Sequence, residues 1–373
     1  MEVHKYLEKM KVFQAKILEL FNDDIDILSV EQILMQNFEN KKNDYIRQEI
    51  KPFLYIISKI SNNYHRSPDF FDKIENLLLF IKDQIKQSFS NFEMFNIFKS
   101  NKRILLFLFK EKFIIPDQKI VKIFTEEKYQ KNGYLNFFYE EIKFHLKDEI
   151  SQKIEKENKL IESDSLLFEE KRKNGENENC ICKMIQNDLI DDFISHVSLN
   201  NISLSTKIHT SIFETNHFLL NKNPTFFEYS AFYGSIRIFK YLLINKQKVT
   251  SSLWTYAVHG KNSEIIHLLE ENNDLINAKN LYENCLFEAI KCHHNEIADY
   301  FLSNFIEDQK IYEFKIFLKC IKYYNFEFPL SFFINEFAFD DLCRYDHLSA
   351  VKLFLKTQEI KINANSIQNQ LFF

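Results

Sequence analysis

Apolar residues recur at intervals of three and four along most of this chain, the spacing of amphipathic helices. In the first 147 residues the periods run over 3–21, 25–38, 53–60, 70–85, 92–113 and 134–146. In the fourth, Phe70, Ile74, Leu77, Leu78, Ile81 and Ile85 make one apolar stripe, opened by Ser67 and Pro68 as a cap and first-turn pair. Pro52 is expected to begin a helix in the same way, and Pro116 to interrupt one. These periods predict an all-helical N-terminal domain, either a bundle or a helical array.

The second half repeats itself. Residues 230–243, 257–269, 289–302 and 342–355 each hold a small or apolar pair, a polar turn, and an amphipathic stretch closed by two large apolar residues. Each reads as two short antiparallel helices joined by a tight turn. One such hairpin cannot bury its apolar face alone but a stack can, so the repetition predicts a solenoid whose exposed face binds another protein. From Ser230 to Ala257 is 27 residues and from Ala257 to Ala289 is 32, whereas Ala289 to Leu342 is 53. The long interval predicts a degenerate unit around 320–325, followed by the apolar run 328–333.

These stretches resemble ankyrin repeats. Thr225 matches the opening Thr of that motif, Ser230 and Ala231 its small pair, Gly234 its turn glycine, Ile238 and Phe239 its Ile-Val, and Leu242 and Leu243 its final pair. In the last unit His347 matches the turn His, followed by Val351, Phe354 and Leu355. Residues 276–278 and 362–364, both Ile-Asn-Ala, look like the Val-Asn-Ala that leads from one unit to the next. The small pair lets neighbouring inner helices approach closely. Phe226, Leu253 and Cys285 depart from the motif's Pro, and no Asp-Gly marks the hairpin tips. A wider similarity, carried by 169–178, 211–216, 251–254 and 290–298, resembles a family of protist ankyrin-repeat proteins with a domain of unknown function beside degenerate repeats. The resemblance implies a repeat protein without assigned catalysis.

With 373 residues and 45% hydrophobic content the chain can bury a large core in two or three domains. A net charge of -5 sets up no strong field toward nucleic acid or anionic membrane. Forty Phe against four Gly and five Pro suits long helices with few turns. The charged start lacks a signal-peptide core, and the apolar run 104–109 is closed by Lys110, too short to span a bilayer. Six scattered cysteines fit reduced thiols, so a cytoplasmic setting is expected. Residues 147–179 hold ten Asp/Glu and seven Lys/Arg and read as a charged helical connector. The expected organisation is a helical domain over 1–147, a connector over 148–180, and a degenerate ankyrin-repeat domain over 181–373. The apolar tail 356–373 is expected to fold back over the last hairpin.

Catalytic and metal motifs are weak. Cys180 and Cys182 are too close in sequence for common zinc knuckles, and Cys292, His293 and His294 fall at the end and turn of a repeat. Cys285, Cys320 and Cys343 read as small core residues. No Ser or Cys stands in a glycine-rich elbow, and no glycine loop cradles a phosphate. The expectation is therefore no enzyme, no catalytic residue, no cofactor and no metal. An alternative is nucleic-acid binding through Lys99, Lys102 and Arg103 beside Phe98 and Phe107; the plainer expectation makes these cations the solvated edge of a Phe-rich helix.

The reading is an all-α protein, an N-terminal helical bundle or array followed by a degenerate ankyrin solenoid. It would act as a monomeric adaptor or scaffold for a protein partner, without membrane or nucleic acid. The inner helices would line a concave face presenting Tyr229, Phe232, Tyr233, Tyr256, His259, Glu288, Lys291, Arg344 and Tyr345. Trp254 is expected in the core.

Overall fold

The computed structural model describes residues 2–20, 28, 30–32, 34, 43–63, 68–220, 222–272, 278–307, 309–328 and 336–357. Among them the regular structure is helical, and the only pairing between extended residues is one isolated bridge between Lys207 and Thr225.

The N-terminal periods become helices whose limits differ from the simple stripe. Glu2–Glu19 and Asn43–Asn63 form, while most of 25–38, and Ser67, lie outside the described residues. Pro52 corrects the expectation: it stands inside Asn43–Asn63 rather than at its start. Ile50, Phe53, Leu54 and Ile57 are all fully buried on either side of it. Burial of that stripe outweighs the one backbone hydrogen bond a mid-helix proline forfeits. The stripe over 70–85 is divided at Ile81 into Pro68–Phe80 and Lys82–Ser88. The period over 92–113 is two helices, Asn91–Phe98 and Lys102–Lys110, because the Asn101 side chain accepts from the Ile104 N–H and starts a new helix.

The charged stretch folds as two helices, Asp148–Ile161 and Ser165–Asn174. Arg172 in the second is completely buried, 2.6 Å from Glu141 and 2.5 Å from Glu169.

Beyond it come five helix pairs: Cys180–Gln186 with Ile190–Leu199, Phe226–Tyr233 with Ile236–Ile244, Ser251–Gly260 with Ser263–Glu271, Ala278–Lys291 with Asn295–Phe305, and Glu336–Arg344 with Leu348–Thr357. Each turn contains one residue at positive φ: Asp188, Gly234, Lys261, His293 and Asp346 respectively. The first residue of every repeated stretch, Ser230, Ala257, Ala289 or Leu342, stands four positions before it. The degenerate unit contributes helix Gln309–Tyr323 and its own left-handed residue, Tyr324, four after Cys320; most of 328–333 lies outside the described residues. Leu189, Ser235, His294, Asn325 and His347 donate their N–H to the carbonyl five residues back, at 2.8 to 3.0 Å, the Schellman closure of a helix end.

The same turns link successive hairpins. Ser235 Oγ donates to the Ile185 carbonyl, Asn325 Nδ2 to that of Ile290 at 2.9 Å, and His347 Nε2 to that of Ile321 at 2.8 Å. In all three the donor follows the left-handed residue of one turn, and the acceptor lies three before the left-handed residue of the preceding turn. Asn262 in the third pair reaches the Gly234 carbonyl at 3.3 Å instead. A Cβ on Gly260 would stand 2.1 Å from the Ala231 carbonyl, so the third inner helix presses its end directly on the second.

Two compact units interleave along the chain. One comprises residues 1–60, 72–88 and 282–373; the other comprises 61–71 and 89–281. In the first, Glu2–Glu19 packs on Leu348–Thr357, and Gln14 bonds the Asn325 side chain at 3.0 Å and the Phe326 N–H at 2.5 Å. Tyr55 stacks on Tyr324 with ring centroids 5.0 Å apart and donates to Asp346, which also pairs with Lys51 at 2.6 Å. The tail beyond 357, with its expected fold-back, lies outside the described residues, as do 276–277 and 362–364.

Candidate protein-binding site

The nine inner-helix candidates divide by burial. Tyr229, Phe232, Tyr233, Tyr256 and His259 are at most 5% exposed, so these five do not form an open face in this structure. Glu288, Lys291 and Tyr345 are partly exposed and Arg344 is exposed. Lys291 pairs with Glu288 at 2.7 Å, Arg344 with Asp341 at 3.1 Å, and the Tyr345 carbonyl accepts from Tyr324 at 2.6 Å.

Tyr229 and Tyr233 pack on each other and accept from Gln186 of the first hairpin, while the connection between the first and second hairpins covers Phe232, Tyr256 and His259. It is bolted down at its start: Asn177 Nδ2 donates to the His209 carbonyl at 2.9 Å, Ser211 Oγ to Glu178 at 2.5 Å, and Thr215 Oγ1 to the Gly175 carbonyl at 2.8 Å. Phe213 stacks edge-on against Phe168 at 5.1 Å. Phe218 then lies parallel to Phe232 at 5.6 Å, edge-on to Tyr256 at 4.8 Å, and 3.8 Å from the His259 ring. Lys222 sets its ammonium 3.3 Å from the Phe218 ring centre and 5.0 Å from that of Tyr256. A connection of more than twenty residues that carries Phe213, Phe218, Leu219 and Leu220 is itself a signal of a packed segment, since solvated loops of that length are uncommon.

Of the three cations in the basic patch, Lys99 is partly exposed and the other two are buried. Lys102 is fully buried and Arg103 is 9% exposed, so neither is a solvated edge nor an accessible phosphate ligand. Lys102 donates to the carbonyls of Ile212 at 2.8 Å and Glu214 at 3.3 Å, with its ammonium 4.9 Å from the Phe137 ring centre. Arg103 lies over Phe71 at 4.2 Å. Burial pulls the Lys102 ammonium down to about 7 and pushes the Glu214 carboxyl up to about 8. Asn177, His209, Thr210, Glu214, Lys222 and Tyr229 line a shallow depression open to solvent.

Of the cysteines, Cys182, Cys285, Cys292 and Cys320 are buried, Cys343 is partly exposed, and Cys180 is exposed with its sulfur 3.8 Å from His196 Nε2. Burial pushes the Cys182 thiol up to about 12, far from thiolate reactivity at neutral pH. Trp254 is fully buried.

No family model, curated protein or solved structure matches this chain. Among the described residues no helix is long and apolar enough to cross a membrane.

Proposed function

We propose that this chain is a non-catalytic scaffold that binds a protein partner through stacked, ankyrin-like helix hairpins. The observation that carries the reading is the repeated turn bond, Ser235 to Ile185 in one unit and Asn325 to Ile290 and His347 to Ile321 in the other, which fixes the register of neighbouring hairpins within each unit. A register held by turn polar groups frees side chains elsewhere on each hairpin to vary without loss of the stack, the arrangement that suits repeat proteins to recognition. Of the inner-helix positions, Arg344 and Tyr345 in one pair, and Glu288 and Lys291 in another, offer charged and aromatic tips to a partner.

A photo-crosslinking residue placed at Arg344 or Lys291 in the full chain tests the proposal in extract from the source cell. The expected result is one protein captured at both positions, whose yield falls at least tenfold with Tyr345→Ala and Glu288→Arg. Capture unaffected by those changes, or capture of nuclease-sensitive material, would overturn it.

A further inference from the structure

The connection between the first two hairpins does more than span them. Its two ends are held together by the Ile208 N–H donating to the Pro224 carbonyl at 2.7 Å, and Thr210 Oγ1 donates to the Lys222 carbonyl at 2.9 Å. The intervening loop is thus closed and compact, of the kind that packs its own side chains. Its first half is tied by hydrogen bonds to the segment around 175–178 and to Lys102. In its second half, the Leu219 and Leu220 N–H groups close on the Asn216 carbonyl, and the Phe218 N–H on the Asn216 side chain, forming a small self-bonded turn. That turn projects one large side chain, Phe218, among Phe232, Tyr256 and His259 of the two inner helices.

We propose that the 216–220 turn, with Lys222 after it, is an internal plug, seating Phe218 and Lys222 where the inner helices of the second and third hairpins would take an aromatic side chain and a cation from a partner. The proposal rests on the reading of the hairpins as a recognition scaffold and names the chemistry that their inner face recognises. The face supplies aromatic walls in two orientations, parallel from Phe232 and edge-on from Tyr256, which suit a flat apolar ring. Tyr256 offers its ring to an ammonium on the neighbouring side. The fitting partner is a peptide segment with Phe or Tyr followed four residues later by Lys or Arg. The plug repeats that pattern in cis, so partner binding at this face requires its displacement and is weakened by the fraction of time the plug is seated.

The test uses the full-length chain and a fluorescent synthetic peptide of residues 210–222, read by anisotropy. Phe218→Ala should vacate the aromatic slot, and Phe218→Leu serves as the second variant if the alanine form does not fold cooperatively. The expected result is saturable binding to a variant at least tenfold tighter than to wild type, abolished when Phe in the peptide is replaced by Ser and weakened when its Lys is replaced by Gln. Equal binding to wild type and a folded variant would overturn the proposal, as would absence of binding to both folded variants. Because the crosslinking positions belong to other hairpins, a failed peptide titration leaves that result intact, and the converse holds.

Discussion

His347 Nε2 donates to the carbonyl of Ile321 at 2.8 Å, while its Nδ1 is buried without a hydrogen-bond partner. His293 is similarly placed: Nε2 lies 3.3 Å from the Tyr324 carbonyl, and Nδ1 is again unpaired. The neutral imidazole satisfies this geometry and the imidazolium does not, so burial pulls both groups down to about 4. Their contribution is fully present above the ordinary histidine value near 6.5 and is lost as pH falls through 4. Each is worth roughly 3 kcal/mol at the acid limit, by the usual 1.36 kcal/mol per unit of pKa. Urea midpoints measured at pH 7 and pH 4.5 should fall steeply for wild type. They should fall less for His347→Gln, which retains an N–H donor that does not titrate. An unchanged acid dependence in that variant would remove His347 from the account.

Gly260→Ala should destabilise the chain by about 1–3 kcal/mol. The new Cβ would stand 2.1 Å from the Ala231 carbonyl, so backbone must move. An alanine at an open helical position gains up to about 1 kcal/mol over glycine, which sets the opposite sign for a site without the contact. Ala257→Leu and Ala289→Leu, both at fully buried positions, should cost about 1–3 kcal/mol by the same overpacking. Chemical denaturation of the three variants checks the set.

Lys261 holds φ 49° at the turn where the preceding hairpin uses Gly234. A side chain costs about 1–2 kcal/mol in that conformation, partly offset by the greater freedom of an unfolded glycine. Lys261→Gly should therefore raise the denaturation midpoint slightly, by about 0.5–1 kcal/mol. A lower midpoint would mean that the Lys261 side chain makes a contact worth more than the backbone strain.

Arg172 is buried between Glu141 and Glu169, and burial pushes the Glu141 carboxyl up even with the guanidinium beside it. Arg172→Met should cost about 3–5 kcal/mol, because it leaves Glu141 desolvated without its partner. Adding Glu141→Gln should recover a large part of the loss. A double-mutant cycle with no coupling between the two positions would show that the pair is not what holds helix Ser165–Asn174 down.

What the sequence by itself determined here is local. The three-and-four spacing placed most helices, and the small residues Ser230, Ala257 and Ala289 fell at one common position before a left-handed turn. That was legible because helix periodicity and turn closure depend on residues within five positions of one another. Asn101 divided one apolar period into two helices, and Pro52 sat inside another, where a local cap and a long-range buried stripe respectively prevailed. The candidate face was decided only by the tertiary structure. Phe232 and Tyr256 carry the residue types of a recognition surface, and nothing in their own helices reveals that Phe218 arrives from the preceding connection to cover them. Lys102 and Arg103 read as solvated cations for the same reason: the carbonyls of Ile212 and Glu214 that receive Lys102 lie more than a hundred residues away. Helix formation follows from neighbours in sequence, whereas exposure follows from what the rest of the chain brings to a surface, and that is fixed by the packing of the whole.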